Sequence, residues 1–360
     1  MSKNLIRNIT VNTDQASQLI ETAISAKIVP LLKGSPGIGK SAIIHQIAKN
    51  HNLKVIDVRL SQADPTDLLG FPQINKDGTK AGYVPMETFP LEGDPIPDGY
   101  SGWLLFFDEL TSAVPAIQAS AYKIILDRQV GIHNLHPYVA IVAAGNLETD
   151  NAIVETMSTA LQSRMIHFEL RVDNKQWFDW AEKNHIDSRI LAYLSYKPEM
   201  LYKFDPDHTD QTFPCPRTWE FTNRMLGKLN TLDESLLLPA LAGTIGQGTA
   251  REFVGFTKIY QSLPKLETIL ANPDTTPIPD EISSKFALSG SIADLATKDN
   301  IDKLFTYLLR LPSEFQVLAF RIIYRRDSSI IPDKYLIEWA DTLRDLSAPC
   351  ELDKGAKKAA

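Results

Sequence analysis

The hydrophobic positions of this chain change period along its length. Between residues 14 and 26, Ala16, Leu19, Ile20, Ala23 and Ile24 recur at three- and four-residue spacing. That spacing predicts an amphipathic helix, with Thr13 or Asp14 as its cap. Residues 28–32 are instead a short apolar run that stops at Gly34-Ser35-Pro36-Gly37, which reads as a buried strand. Helical spacing returns over 41–50 and again over 113–126. Residues 55–58, 103–107, 139–144 and 165–170 read as further strands, and the wholly apolar 103–107 belongs inside a parallel sheet. Strands alternating with helices predict an α/β fold with a doubly wound parallel sheet. One long stretch, 64–101, interrupts the pattern and is rich in Pro, Gly and Asp. Within it, residues 73–75 and 81–84 flank an Asp77-Gly78 pair, a hairpin signal. Beyond 170 the period is helical throughout, over 177–183, 189–194, 218–229, 236–245, 301–310 and 314–324. Residues 272–279 (NPDTTPIP) have linker composition, and 354–360 form a short polar tail.

Composition narrows the class without naming a function. The 360 residues are 44% hydrophobic and 22% charged, which fits a globular chain and rules out a disordered or collagen-like one. Two cysteines, Cys215 and Cys350, are too few for a disulfide framework or a four-cysteine zinc site. The net charge of -7 argues against a chain built chiefly to coat nucleic acid. Neither an apolar signal segment nor a membrane-length run is evident, so a cytoplasmic protein without a membrane role is expected.

The candidate chemistry begins at Gly34-Ser35-Pro36-Gly37-Ile38-Gly39-Lys40-Ser41, with Ala42 following. It matches G-x-x-x-x-G-K-[ST] in full, between a predicted strand and a predicted helix. Glycines let several backbone N–H groups face one phosphate chain, and the helix start adds its positive dipole end. Lys40 would reach the β- and γ-phosphates of ATP, and the Ser41 hydroxyl would ligate Mg²⁺. A second apolar strand delivers Asp108-Glu109 at its C-terminal end, the edge where open α/β sheets bind ligands. Asp108 would hold Mg²⁺ and Glu109 would polarise the attacking water; taken alone, the pair could equally cap the next helix. A third strand ends in Asn146, which could bridge the water and the γ-phosphate or simply serve a turn. His133 and His136 have ligand spacing but no third partner nearby, so they read as a solvated loop.

In this order the residues resemble the MoxR branch of AAA+ ATPases, with its CbbQ, NorQ and GvpN relatives. The resemblance spans roughly residues 14–256. Besides the P-loop and the acidic strand, it rests on Asp64-Pro65-Thr66-Asp67-Leu68-Leu69-Gly70 with its hairpin, similar to the branch's helix-2 insert. It rests also on Pro214-Cys215-Pro216-Arg217-Thr218-Trp219-Glu220, similar to the sensor-2 helix. The resemblance implies an AAA+ nucleotide-binding domain over 1–172 with the insert at 64–101, a helical lid over 173–260, and a C-terminal helical extension over 261–360. It implies sensor 1 at Asn146, sensor 2 at Arg217 and an arginine finger at Arg164, with Arg128 in reserve because Ser163-Arg164-Met165 departs from the usual Asp-Arg-Phe. It further implies a hexamer with ATP at subunit interfaces. The ring would remodel or activate a protein complex, with a von Willebrand factor A domain protein as partner. Phe71, Tyr83 and Phe89 in the insert are contact candidates if exposed, and core residues if not. Two other readings stand beside this one. A nucleic-acid motor or loader would suit Arg321-Ile322-Ile323-Tyr324-Arg325-Arg326, although one face of an amphipathic helix explains that run as well. A nucleotide-gated scaffold would lack part of the catalytic set, and here none is missing.

Overall fold

The computed structural model describes residues 9–150, 155, 157–207, 210–229 and 234–336; the predicted tail and Cys350 lie outside them. Contacts divide the chain into two compact units, one of residues 9–173 with 205–207 and one of 174–204 with 210–336.

The first unit runs β1 (Thr10–Val11), α1 (Thr13–Ser25), β2 (Val29–Lys33), α2 (Lys40–Asn50), β3 (Leu53–Arg59) and α3 (Pro65–Leu69). The hairpin β4 (Phe71–Ile74) and β5 (Ala81–Val84) follows, then β6 (Gly102–Asp108) and α4 (Pro115–Asp127). A small hairpin, β7 (Gln129–Val130) and β8 (His133–Asn134), leads to β9 (Val139–Gly145), α5 (Thr159–Gln162) and β10 (Met165–Leu170). Six strands form one parallel sheet in the order β1-β10-β2-β9-β6-β3. The period-two rule sorts its side chains into two cores. Leu31, Leu105, Phe107, Ile141 and Ala143 join Leu68, Ile117, Ala121 and Ile124 on the face covered by α3 and α4. Leu32, Leu104, Phe106, Val142 and Ala144 join Ala16, Ile20, Ile43 and Ile47 on the face covered by α1 and α2. Burial on both faces is why these strands read as unbroken apolar runs rather than alternating ones.

The cap of α1 differs from expectation. Asn12, not Thr13 or Asp14, accepts the Gln15 N–H at 3.0 Å, while the Gln15 side chain accepts the Asn12 N–H at 3.1 Å. This reciprocal box satisfies two donors at the helix start and contributes about 1 kcal/mol. In the insert, Phe71 and Tyr83 are exposed, whereas Phe89 is a core residue.

The second unit is helical: α6 (Asn174–Lys183), α7 (Ser188–Tyr196), α8 (Pro216–Leu229), α9 (Leu237–Ile245), α10 (Gln247–Ile259), α11 (Leu266–Ala271), α12 (Ile282–Leu295), α13 (Ile301–Leu308) and α14 (Ser313–Arg326). Tyr193, Trp219 and Phe253 pack with ring centroids 5.3–5.7 Å apart, joining α7, α8 and α10. Such edge and tilted contacts add to plain area burial. The stretch with linker composition is irregular but tied down. Tyr307 donates to the Pro277 carbonyl at 2.9 Å, and Arg310 donates to the Pro273 and Thr276 carbonyls at 2.6 and 2.9 Å. Prolines there end helices without freeing the chain.

The basic run on α14 is also committed within the unit. Arg321 pairs with Asp179 at 2.8 Å and with Glu182 at 3.2 Å, and Arg325 lies 3.8 Å from Glu182. Arg326 donates to the carbonyls of Asp294 and Ala296. These arginines clamp helices together, as the amphipathic-helix alternative has it.

Candidate nucleotide site

The parallel register brings three strand ends together. Lys33 sits opposite Gly145, and Phe107 opposite Ala143, so the loops leaving β2, β6 and β9 emerge side by side. This is the carboxyl edge of the sheet, where the strand after β2 departs to the far side. Gly34 through Gly39 form the loop from β2 into α2, whose first two residues are Lys40 and Ser41. Gly39 precedes the helix with φ of +99°, a conformation a side chain would strain, and open space surrounds the position its Cβ would take. No side chain caps α2, and a helix start of that kind suits an anion.

Four predicted residues converge here. The Lys40 ammonium donates to Asn146 Oδ1 at 3.1 Å, and also to the carbonyls of Gly34 and Ser35 at 2.5 and 2.9 Å. The Ser41 hydroxyl donates to Asp108 Oδ2 at 3.0 Å. A hydroxyl beside a carboxylate is a hard oxygen pair of the kind Mg²⁺ takes. Asp57 on the neighbouring strand reinforces the negative field: burial first, and then the Asp108 charge, push its carboxyl above the ordinary range. The cradle, the cation and the oxygen pair together fit a nucleoside triphosphate with its metal.

Glu109 follows Asp108 with φ of +59°, in the left-handed region that is unusual for a non-glycine residue. Its backbone N–H donates to Asp108 Oδ1 at 2.9 Å, and its carboxylate accepts from the Ser61 hydroxyl. Sequence reasoning did not find Ser61, which lies in an unremarkable polar segment after β3. Nor did it find Thr111. That hydroxyl accepts the Asn146 N–H at 2.9 Å and donates to the Asn146 carbonyl at 3.2 Å.

The arginines fall in different settings. Arg164 is exposed at the N-terminal end of β10, donates to the Ala160 carbonyl at 2.8 Å and lies 5.4 Å over the Tyr122 ring. Arg128 is half-buried and donates to the Val139 carbonyl at 2.5 Å; burial lowers its guanidinium pKa. Arg217 is exposed on the first turn of α8, in the second unit. Neighbouring Thr218 secures that turn, accepting the Cys215 N–H at 2.8 Å, and Cys215 itself is buried. Of the two loop histidines, His136 is buried, not solvated, with its ring 4.9 Å from Trp103. Among the described residues no group of three or more His, Cys, Asp or Glu could hold a metal ion, and no helix is long and apolar enough to cross a membrane.

Residues 30–165 match the family model of the AAA domain, dynein-related subfamily. No curated protein matches the chain. Among solved structures, a RuvB variant of Thermotoga maritima is 18% identical with a TM-score of 0.38, over 83% of this chain and 86% of that one. NtrX of Brucella abortus in complex with ADP is 15% identical with a TM-score of 0.39, over 92% of this chain and 68% of that one. Superpositions this loose carry no functional argument. The domain match and the sheet together show an α/β fold of the AAA+ P-loop NTPase class, with a helical C-terminal part.

Proposed function

We propose that this AAA domain hydrolyses ATP with Mg²⁺ and that the hydrolysis drives a ring which remodels a partner protein complex. The observation that carries the enzymatic part is the convergence of Lys40 with Asn146 and of Ser41 with Asp108, from three separate chain segments. Residues 34–42 bind the phosphates through backbone N–H groups, and Lys40 orients the terminal ones. Ser41 and Asp108 hold the metal, which when bound supplies charge neutralisation on the β- and γ-phosphates. Glu109 orients and polarises the attacking water. Asn146, held by Lys40, fixes the other side of that water's approach.

The finger assignment favours Arg164 over Arg128. A residue that serves a neighbour's nucleotide must be exposed, and Arg128 is engaged with backbone carbonyls. Arg164 also cannot serve its own site. It precedes β10, whose far end, Leu170, abuts Gly34. Six residues of strand separate the two by about 20 Å, beyond an arginine's reach. Hydrolysis aided by Arg164 therefore requires a second subunit, which supports an oligomer, and the resemblance makes that oligomer a hexamer. Arg217 we place as sensor 2.

Remodelling of a protein partner, as in the MoxR branch, has a structural counterpart. Its support is the β4–β5 hairpin, whose Phe71 and Ile74 are 57% and 71% exposed with Tyr83 beside them. An exposed apolar hairpin suits protein contact. The test of the chemistry is Glu109→Gln. The variant should bind ATP as the parent does and lose at least about 100-fold in turnover, as removal of a general base does. Turnover near the parent's would remove Glu109 from its role.

A further inference from the structure

We propose that Thr111 is a positioning residue that locks the Asn146 loop to the Glu109 loop, so that the two reach the γ-phosphate and the attacking water as one unit. The inference deepens the ATPase reading and rests on it. Thr111 is 2% exposed and lies in the short turn Leu110–Ser112, two residues after Glu109. That turn is closed by the Ser112 N–H on the Glu109 carbonyl at 2.9 Å. One hydroxyl occupies both backbone groups of Asn146, accepting from its N–H and donating to its carbonyl. A residue gripped at both its N–H and C=O has little freedom to rotate about its own backbone. Its side-chain amide is therefore held where Lys40 meets it. The Thr111 carbonyl in turn accepts the Glu155 N–H at 2.8 Å, tying the same turn to the chain beyond Asn146.

Gly145 gives independent support. A Cβ there would lie 2.5 Å from Thr111 Oγ1 and 2.6 Å from its Cγ2. Gly145 has no positive φ, so its backbone needs no glycine. What the glycine provides is room for the Thr111 side chain against the end of β9. Two positions on different loops are thus fitted to one contact.

The clamp acts on geometry that matters in the transition state, so its loss should separate ground-state binding from turnover. The experiment compares wild type, Thr111→Val, Thr111→Ser and Gly145→Ala, measuring kcat, the Kd for MgADP, and the Kd for MgADP with aluminium fluoride. Melting temperatures are recorded alongside, so that fold loss is recognised. Thr111→Val should lower kcat at least about tenfold and weaken the aluminium fluoride complex by a similar factor, leaving MgADP affinity within about twofold. Thr111→Ser, which keeps the hydroxyl, should restore most of both, and Gly145→Ala should follow Thr111→Val. A purely structural role would weaken both nucleotide complexes together, with serine giving no rescue. Either that pattern, or an unchanged kcat in Thr111→Val, overturns the clamp. If wild type itself shows no Mg-dependent hydrolysis at any concentration, the ATPase reading fails first, and the two failures are distinct.

Discussion

At the scale of single residues, the site consists of strong motif positions held by inconspicuous ones. Lys40, Ser41, Asp108 and Glu109 were legible because their chemistry demands fixed spacing next to glycines or at a strand end. Ser61 and Thr111 were not, because a hydroxyl that holds a catalytic group needs only to be near it in space. Ser61 illustrates the consequence. Its hydroxyl donates to the Glu109 carboxylate and turns it toward β3's end. A hydrogen bond to a charged group contributes about 1.5–3 kcal/mol when sheltered, and less at an exposed position such as this. Ser61→Ala should release the carboxylate toward the water and raise basal ATP turnover, by roughly fivefold for about 1 kcal/mol. Steady-state assays of the purified protein decide it; a fall in rate would mean that Ser61 aligns Glu109 rather than restrains it.

At the scale of elements, the strands were the most legible part. Wholly apolar runs such as β6 and β9 can only be interior strands of a parallel sheet covered on both faces. The hairpin β4–β5 was legible from its Asp77-Gly78 turn. Residues 272–279 are irregular, as their composition implies; Pro and Asn report where helices end, while the anchoring comes from Tyr307 and Arg310, some thirty residues away in sequence. The run on α14 left two readings open in the sequence, since its partners Asp179 and Glu182 lie on α6. Glu182 sits there with a side chain 1% exposed, against arginines 33% and 37% exposed. Burial raises its pKa above the ordinary 4.5, outweighing the pull of Arg321. The folded state then binds the proton more tightly than the unfolded state. The stability from Glu182 is therefore full below about 4.5 and is lost as pH rises through the folded value. Removing the carboxylate would take this partner from Arg325 and leave Arg321 with Asp179 alone. Glu182→Ala should lower unfolding stability by about 2–3 kcal/mol, below the figure for fully buried pairs because the arginines keep some water. Urea titrations at several pH values test both points, and Glu182→Gln should lose the pH slope that the parent shows above 4.5.

At the scale of the whole molecule, the distance between Arg164 and its own P-loop decides how activity must scale. Both lie in the same unit, at opposite ends of adjacent parallel strands, with Met165 opposite Val29 and Glu169 opposite Lys33. No rotamer of Arg164 spans that separation. A lone subunit therefore cannot bring Arg164 to its own γ-phosphate, and an arginine supplied in trans is worth about 10³–10⁵ in rate in related phosphoryl transfers. Specific activity should climb steeply with protein concentration and level off once rings have formed. Arg164→Ala should flatten that curve at its low end while still forming rings with ATP, read by mass photometry on the same samples. Mixing supplies the sharper check. Glu109→Gln subunits carry an intact Arg164 but a dead site, and Arg164→Ala subunits the reverse. Together they should recover turnover that neither shows alone, because the first donates its arginine to the second's water and metal. No recovery, with mixed rings demonstrably present, would place the catalytic cation elsewhere and leave Arg164 a surface residue stacked on Tyr122.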